Sequence, residues 1–514
     1  MSAFLFMWIV LYFTAKWDML SDSVCLYRGS KLGVLSNLQP EKVFYYFEEI
    51  SKIPRGSYHE KQISDYLVAY AKEHDYEVFQ DDLYNVVMLI PASKGYETME
   101  PVILQGHMDM VCEKVAGSAI DMEREGLQLA VDGDYVYAKD TTLGGDDGIA
   151  VAYMLAIADD ATIQHPPLEY IITVSEEVGM EGAGHIDLSM LKGHCMLNLD
   201  SEDEGIFLSS CAGGMSAIVT LPVVWVTAPK KNWFTLKVNG LLGGHSGCEI
   251  DKGRANANKV IGRVLNEIHK KMGLSLHALE GGKKDNAIPA FAQAVIGVSK
   301  TDIDEIKRFV QDFENVLQKE YAKSDADISL ELENVSDPEN DLVLDAPSFD
   351  RVLAYLMTVP DGIQGMSMAV PGLVETSLNL GILELTSEQL YAQHAVRSSV
   401  TTKKQYVAQQ LESMAETFGG KLEIKGEYPA WEYQEHSVVR PKVIALYKAL
   451  YGKEPVVEGI HAGLECGLLA AKIPDLDCVA MGPDILDIHT PSERLSISST
   501  KRVYEFLVEY LKQK

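Results

Sequence analysis

Positive charge is scarce in this sequence: 45 lysines and arginines stand against 75 aspartates and glutamates, for a net charge of −30 over 514 residues. That deficit excludes nucleic acid and anionic membrane surfaces as partners, since both are bound through clustered cationic side chains. Long apolar runs are also missing. The run AFLFMWIVLYF at 3–13 is eleven residues, well short of the roughly 20 that a bilayer-spanning helix needs. No cationic region precedes it and no small-x-small cleavage site follows, so it does not read as a secretory signal. Residues 1–34 read instead as an extension, disordered or translated from upstream of the natural start. Paired cysteines are absent too. The seven cysteines, at 25, 112, 195, 211, 248, 466 and 478, form no CxxC pair, which argues against a disulfide scaffold and suits a reducing, cytoplasmic setting. No low-complexity linker interrupts the chain, and its 47% hydrophobic content can fill two or more large cores.

What is present is a strict order of elements. The stretches PEKVFYYFEEISKI and HEKQISDYLVAYAKEH carry apolar residues at helical spacing. NVVMLI at 85–90, PVILQ at 101–105, LEYIITV at 168–174 and HCMLNL at 194–199 are apolar, strand-like runs, and a helix over 148–158 falls among them. Continuously apolar strands alternating with helices predict an α/β fold with a doubly covered, mostly parallel sheet. After Gly213 the strands alternate and the helices come in pairs, which predicts an inserted α+β layer whose order of elements recurs within 213–429. The expected division is a catalytic unit in two parts, 35–212 and 430–514, interrupted by a lid or dimerisation domain over 213–429. The last helix is expected to start at Thr500, and GGHSG at 243–247 to be a loop.

The chemistry is concentrated where the apolar strands end. TTLGGDDGIA at 141–150 presents Asp146 and Asp147 on a glycine-rich turn at the start of a helix, and HMD at 107–109, SEE at 175–177 and LD at 199–200 each follow a strand. A late segment, IHTPSE, spans 488–493. Ligands bind at such strand ends in open α/β sheets. Any one of these residues alone reads as a turn aspartate or a structural histidine. Together, His107, Asp146, Glu177, Asp200 and His489 form an oxygen and imidazole set without thiolates, as used by hydrolytic zinc, manganese or cobalt sites. Two ions need one shared carboxylate, plus one imidazole and one carboxylate each, and five residues supply that number. Asp109 is spaced to orient His107 through the other ring nitrogen. Glu176, beside a ligand, can take a proton from an attacking water and return it to a leaving amine.

The motifs GHMDMV, TTLGGDDGIA, SEEVGMEGA, LNLDSEDEG, GLLGGHSG, NAIP, PGLVETSLNLG, HAGLECG and IHTPSERL closely resemble the M20 family of dizinc peptidases, and within it bacterial dipeptidases. The resemblance runs from about Leu35 to the C-terminus. It implies two Zn2+ per site, with Co2+ or Mn2+ as substitutes. Asp146 would bridge them, with His107 and Asp200 on one and Glu177 and His489 on the other. It implies Asp109 as the orienting carboxylate and Glu176 as the general acid/base. Of two candidate histidines for the last ligand, His489 fits the family's His-x-x-x-Glu segment, and His461 becomes a substrate contact. His245 is implied to donate to the oxyanion across a homodimer, while Asn286 and Arg397 contact the backbone and terminal carboxylate of the substrate. The implied activity is hydrolysis of unblocked dipeptides, those ending in histidine included. An M20-type N-acyl amino acid deacylase or tripeptidase is the competing enzyme reading, and a catalytically silent peptide-binding dimer the non-enzyme one.

Overall fold

The computed structural model describes residues 33–228, 231–335 and 341–513, so the extension expected over 1–34 lies outside the described residues except for Gly33 and Val34. Two large sheets organise what is described. An eight-stranded sheet takes its strands from Glu77–Gln80 through Ile206–Cys211, and again from Val456–Ile460 and Asp477–Ala480. A nine-stranded sheet is built wholly from strands between Gly213–Pro222 and Lys421–Tyr428. The chain therefore leaves the first sheet, completes the second, and returns.

At the centre of the first sheet, Leu168–Thr173, Val102–His107, Cys195–Asn198 and Asp477–Ala480 run parallel in that order. The pairings of Glu77–Gln80 and Val86–Ile90 beside them are antiparallel. Neighbouring residues of the central strands enter different cores. Leu104, Tyr170, Ile172 and Leu197 face one apolar cluster, while Ile103, Ile171 and Met196 face another on the opposite side. Burial on both faces is why these strands are continuously apolar rather than alternating. The helix Gly145–Ala158 lies in the larger cluster and is buried at every position, as expected of a helix that is hydrophobic all round. Gly106 lets it approach the sheet, since a Cβ there would come within 2.6 Å of the Ala150 Cβ.

In the second sheet every other residue, Phe234, Leu236 and Val238 or Ala217, Val219 and Leu221, joins a core shared with Val260, Ile261, Val264 and Leu411 of the helices. The helices Ala257–Met272 and Thr401–Thr417 thus cover one face of an antiparallel layer. Two sequence expectations need correction. The last helix is Ile497–Leu511, because the Ser496 side chain caps it by accepting the Ser499 N–H at 3.2 Å. GGHSG is not a plain loop: Gly244–His245 pairs antiparallel with Ala287–Ile288. Among the described residues no helix is long and apolar enough to cross a membrane.

Candidate active site

Parallel strands end together, so the register that pairs His107 with Thr173, and Gln105 with Asn198, brings three polar stretches to one edge of the first sheet. His107 is the last residue of its strand, Ser175-Glu176-Glu177 follow Thr173, and Asp200 follows Asn198. The turn before the long helix brings in Asp146, through a cis Asp146–Asp147 peptide bond.

Asp146 lies at the middle of the cluster. One of its oxygens, Oδ1, is 3.1 Å from His107 Nε2, and the other, Oδ2, is 3.1 Å from His489 Nε2. His107 Nε2 is also 3.6 Å from Asp200 Oδ1, and His489 Nε2 is 3.0 Å from Glu177 Oε2. The other ring nitrogen of His107 faces Asp109 Oδ1 at 3.3 Å. Asp109 in turn accepts the Glu176 N–H on Oδ1 at 3.1 Å and the Ser57 hydroxyl on Oδ2 at 2.8 Å. One carboxylate thus sets both the His107 ring and the backbone of the Glu176 turn. Burial pushes the Glu176 carboxyl well above the usual carboxylate range, and the charges of Asp200, Glu465 and Glu177 add to this.

These seven residues, His107, Asp109, Asp146, Glu176, Glu177, Asp200 and His489, are gathered by the fold from across the chain. His461, the competing histidine, is elsewhere. Its Nε2 meets Ser377 Oγ of the nine-stranded sheet at 2.7 Å, its Nδ1 is buried without a partner, and burial beside Arg397 lowers it to about 3. Arg397 is close by, donating from Nη1 to the Tyr428 hydroxyl at 3.0 Å while its Nε is buried without a partner. The His245 ring accepts the N–H groups of Gly247 and Cys248 on Nδ1, at 3.3 and 3.1 Å. Its proton therefore sits on Nε2, and burial together with Arg397 lowers its pKa, so His245 is a neutral donor. The Asn286 carbonyl accepts the Ser246 N–H at 2.9 Å, which ties NAIP to the His245 segment; the Asn286 side chain is exposed. Among the described residues no hydrogen bond or ion pair joins His245, Asn286 or Arg397 to the seven-residue cluster within one protomer.

Two supporting residues, Arg55 and Glu60, were not singled out from the sequence. Arg55 is fully buried and donates to the carbonyls of Met108 and Asp109 at 3.0 and 3.1 Å and of Gly144 at 2.5 Å, tying the His107 segment to the Asp146 turn. Gly144 has φ +64, and a Cβ there would press on Arg55 Nη2 at 2.5 Å. Glu60 accepts both the N–H and the hydroxyl of Ser175, at 3.0 and 2.9 Å. Asp147, next to Asp146, is fully buried and accepts the His107 N–H at 3.2 Å, and it forms a second group of close ligand atoms with His107 and Asp200. Nothing in composition marks Arg55 or Glu60, which lie in ordinary polar turns. Glu493 closes the His489 segment over the turn, accepting the N–H groups of Leu143, Gly144 and Gly145 at 2.7, 2.9 and 2.7 Å. Glu493→Ala would strand these buried donors, the Asp146 N–H at 3.4 Å included, and is expected to destabilise the protein by about 3 kcal/mol, read as a lower urea midpoint. An unchanged midpoint would contradict this reading of the clamp.

The donor set fits divalent cations. The ligand atoms of His107, Asp146 and Glu177 lie within 4.8 Å of one another, and Glu177 Oε1 is buried without a hydrogen-bond partner. Among the described residues no lysine or arginine is ion-paired with Asp146, Glu177 or Asp200; only imidazoles face them. Asp146 and Glu177 raise His489 to about 10, a measure of how strongly this cluster attracts positive charge. Oxygen and imidazole donors without thiolates suit zinc, cobalt or manganese.

Comparison with known proteins agrees with this picture. A peptidase dimerisation domain family matches residues 236–325. The chain is 37% identical over 480 residues to the cytosol non-specific dipeptidase of Escherichia coli (strain K12), covering 93% of this chain and 99% of that one. The structure is similar to the aminoacylhistidine dipeptidase of Vibrio alginolyticus, with a TM-score of 0.87 and 34% identity over 94% of this chain and 99% of that one. A Bacillus cereus aminopeptidase, PepT, shares the fold at 15% identity and a TM-score of 0.52, over 92% of this chain and 98% of its own. The chain belongs to the M20 family of metallopeptidases, among the cytosol non-specific dipeptidases.

Proposed function

We propose that this enzyme hydrolyses the peptide bond of unblocked dipeptides, those ending in histidine included, at a site holding two zinc ions, with cobalt or manganese as working substitutes. The observation that carries the reading is Asp146, whose two oxygens face His107 and His489 at the same 3.1 Å. A carboxylate so placed would be shared between two ions, with His107 and Asp200 holding one and Glu177 and His489 the other. When bound, the ions polarise the scissile carbonyl and acidify water held at the site.

The chain's own groups supply the proton transfers and the orientation. Glu176 takes the proton of the attacking water and delivers it to the departing amine nitrogen. The carboxyl is suited to holding that proton, because burial and neighbouring carboxylates already favour its protonated form. Asp109 keeps the His107 ring turned toward Asp146. His245, neutral with its proton on Nε2, donates to the oxyanion as the peptide carbon becomes tetrahedral. It does so across a homodimer, reaching the site of the partner subunit. Its segment lies within the dimerisation match, and within one protomer it has no bond to the cation cluster. Arg397, with Nε unpaired, receives the terminal carboxylate as a guanidinium fork does. His461 and Asn286 line the same approach. The protein works in the cytoplasm, in line with the unpaired thiols among its described residues, on a catalytic unit of 35–212 and 430–514 with 213–429 as the lid.

Amino-acid release from a panel of unblocked dipeptides, dipeptide amides, N-acetyl amino acids and tripeptides tests this reading. Cleavage confined to unblocked dipeptides, and lost on amidation of the C-terminus, is expected. Cleavage of the acetylated compounds would move the protein to the deacylases, and cleavage of none would leave a binding dimer.

A further inference from the structure

Glu465 is the first residue of the helix Glu465–Lys472 and has no exposed surface. Its Oε2 accepts two hydrogen bonds at 2.6 Å, one from Gln105 Nε2 and one from the Thr173 hydroxyl. Gln105 in turn accepts on Oε1 from Asn198 Nδ2 at 2.5 Å. Each partner belongs to a different central strand and sits just before a residue of the cation cluster: Gln105 before His107, Thr173 before Glu176 and Glu177, Asn198 before Asp200. The register of these strands ends at the His107–Thr173 and Gln105–Asn198 pairs. Glu177 and Asp200 therefore project beyond the backbone ladder that would otherwise fix their spacing, while the like charges of Asp146, Asp200 and Glu177 push the strand ends apart. A single carboxylate, reaching up from a helix 360 residues away from Gln105 in sequence, ties all three strands at the last rung.

Glu465 makes no hydrogen bond to a ligand side chain among the described residues, so it is not itself part of the donor set. Its own segment has a second attachment. Four residues earlier, His461 meets Ser377 of the nine-stranded sheet, so the same short stretch touches both the strand ends and the lid.

We infer that Glu465 is a positioning residue for the cation site, holding the strand ends that carry His107, Glu177 and Asp200 in fixed relation through Gln105, Thr173 and Asn198. The inference rests on the dizinc dipeptidase reading for its kinetic consequence, and on the hydrogen-bond geometry alone for its effect on metal binding.

The test uses the full chain with Glu465→Ala, Glu465→Gln and Thr173→Val. Cobalt(II) is titrated into metal-free protein and followed by visible absorption, with dipeptide kinetics in parallel. Glu465→Ala is expected to weaken cobalt binding roughly 10- to 100-fold, as loss of a ligand-orienting partner does, and to alter the absorption band. It should lower kcat about tenfold or more while KM stays within about twofold, because the residue does not touch substrate. Glu465→Gln keeps an acceptor oxygen and should restore most of the affinity and the parent band. Parent-like affinity, band and kcat in Glu465→Ala would overturn the proposal. Should that variant fail to fold, Thr173→Val, of similar volume and lacking only the hydroxyl, decides: weaker cobalt binding supports the role and unchanged binding overturns it. Weakened cobalt binding in a protein that cleaves no dipeptide would support the positioning role while refuting the dipeptidase reading.

Discussion

Asp146→Asn is expected to lower dipeptide turnover by at least about 10^3-fold, from the loss of several kcal/mol of cation-derived stabilisation of the transition state. The substitution keeps the shape of the side chain and removes its charge, together with one of the two oxygens that face His107 and His489. Among the described residues no other member of the cluster is ion-paired with both histidines: Glu177 pairs with His489 and Asp200 with His107. Loss of Asp146 should therefore disturb both cations at once, whereas Asp200→Asn should disturb one more than the other. Metal content by mass spectrometry, read beside kcat, checks this. A variant that retained two ions and near-parent turnover would show that Asp146 is not shared.

Glu176→Ala should lower kcat roughly 10^2- to 10^4-fold, the range general acid–base catalysis contributes, with cation content unchanged. The two adjacent glutamates are separated by geometry. Glu177 Oε2 lies 3.0 Å from His489, whereas the described hydrogen bonds of Glu176 are all made by its backbone N–H and carbonyl, leaving its carboxyl available for proton transfer. Its half-buried, raised carboxyl and the exposure of Val178 just beyond place Glu176 at the margin of the cluster. If Glu176→Ala turned over substrate at close to the parent rate while holding its metal, proton transfer would have to be assigned elsewhere. If it lost its metal, Glu176 would be a ligand instead.

The parts of the fold that sequence expressed clearly were those with one dominant periodicity. The central strands and the helix Gly145–Ala158 are apolar on every side because they are covered on every side, and that shows as unbroken runs. The residues that cluster at the site were legible for a related reason: charged side chains directly after an apolar strand, or on a glycine turn, have few purely structural uses. Residues whose roles arise from packing between distant segments were not legible. Arg55 contacts the Asp146 turn 89 residues away, and Glu465 contacts Gln105 360 residues away. HAGLECG drew notice for its histidine, yet its glutamate makes the closer connection to the site. The His245 segment looked like a loop because a two-residue strand leaves no periodicity to read, and Ser496 moved a helix start by a capping bond that polar composition alone did not mark.

The central claim is that one carboxylate-rich cluster at the ends of parallel strands holds two cations and that hydrolysis depends on both. The most direct measurement is calorimetric titration of zinc into metal-free protein, with dipeptide cleavage assayed at each point. The account predicts two equivalents bound per chain and full activity only after the second has entered. Saturation at one equivalent, or undiminished cleavage by thoroughly chelated protein, would contradict it.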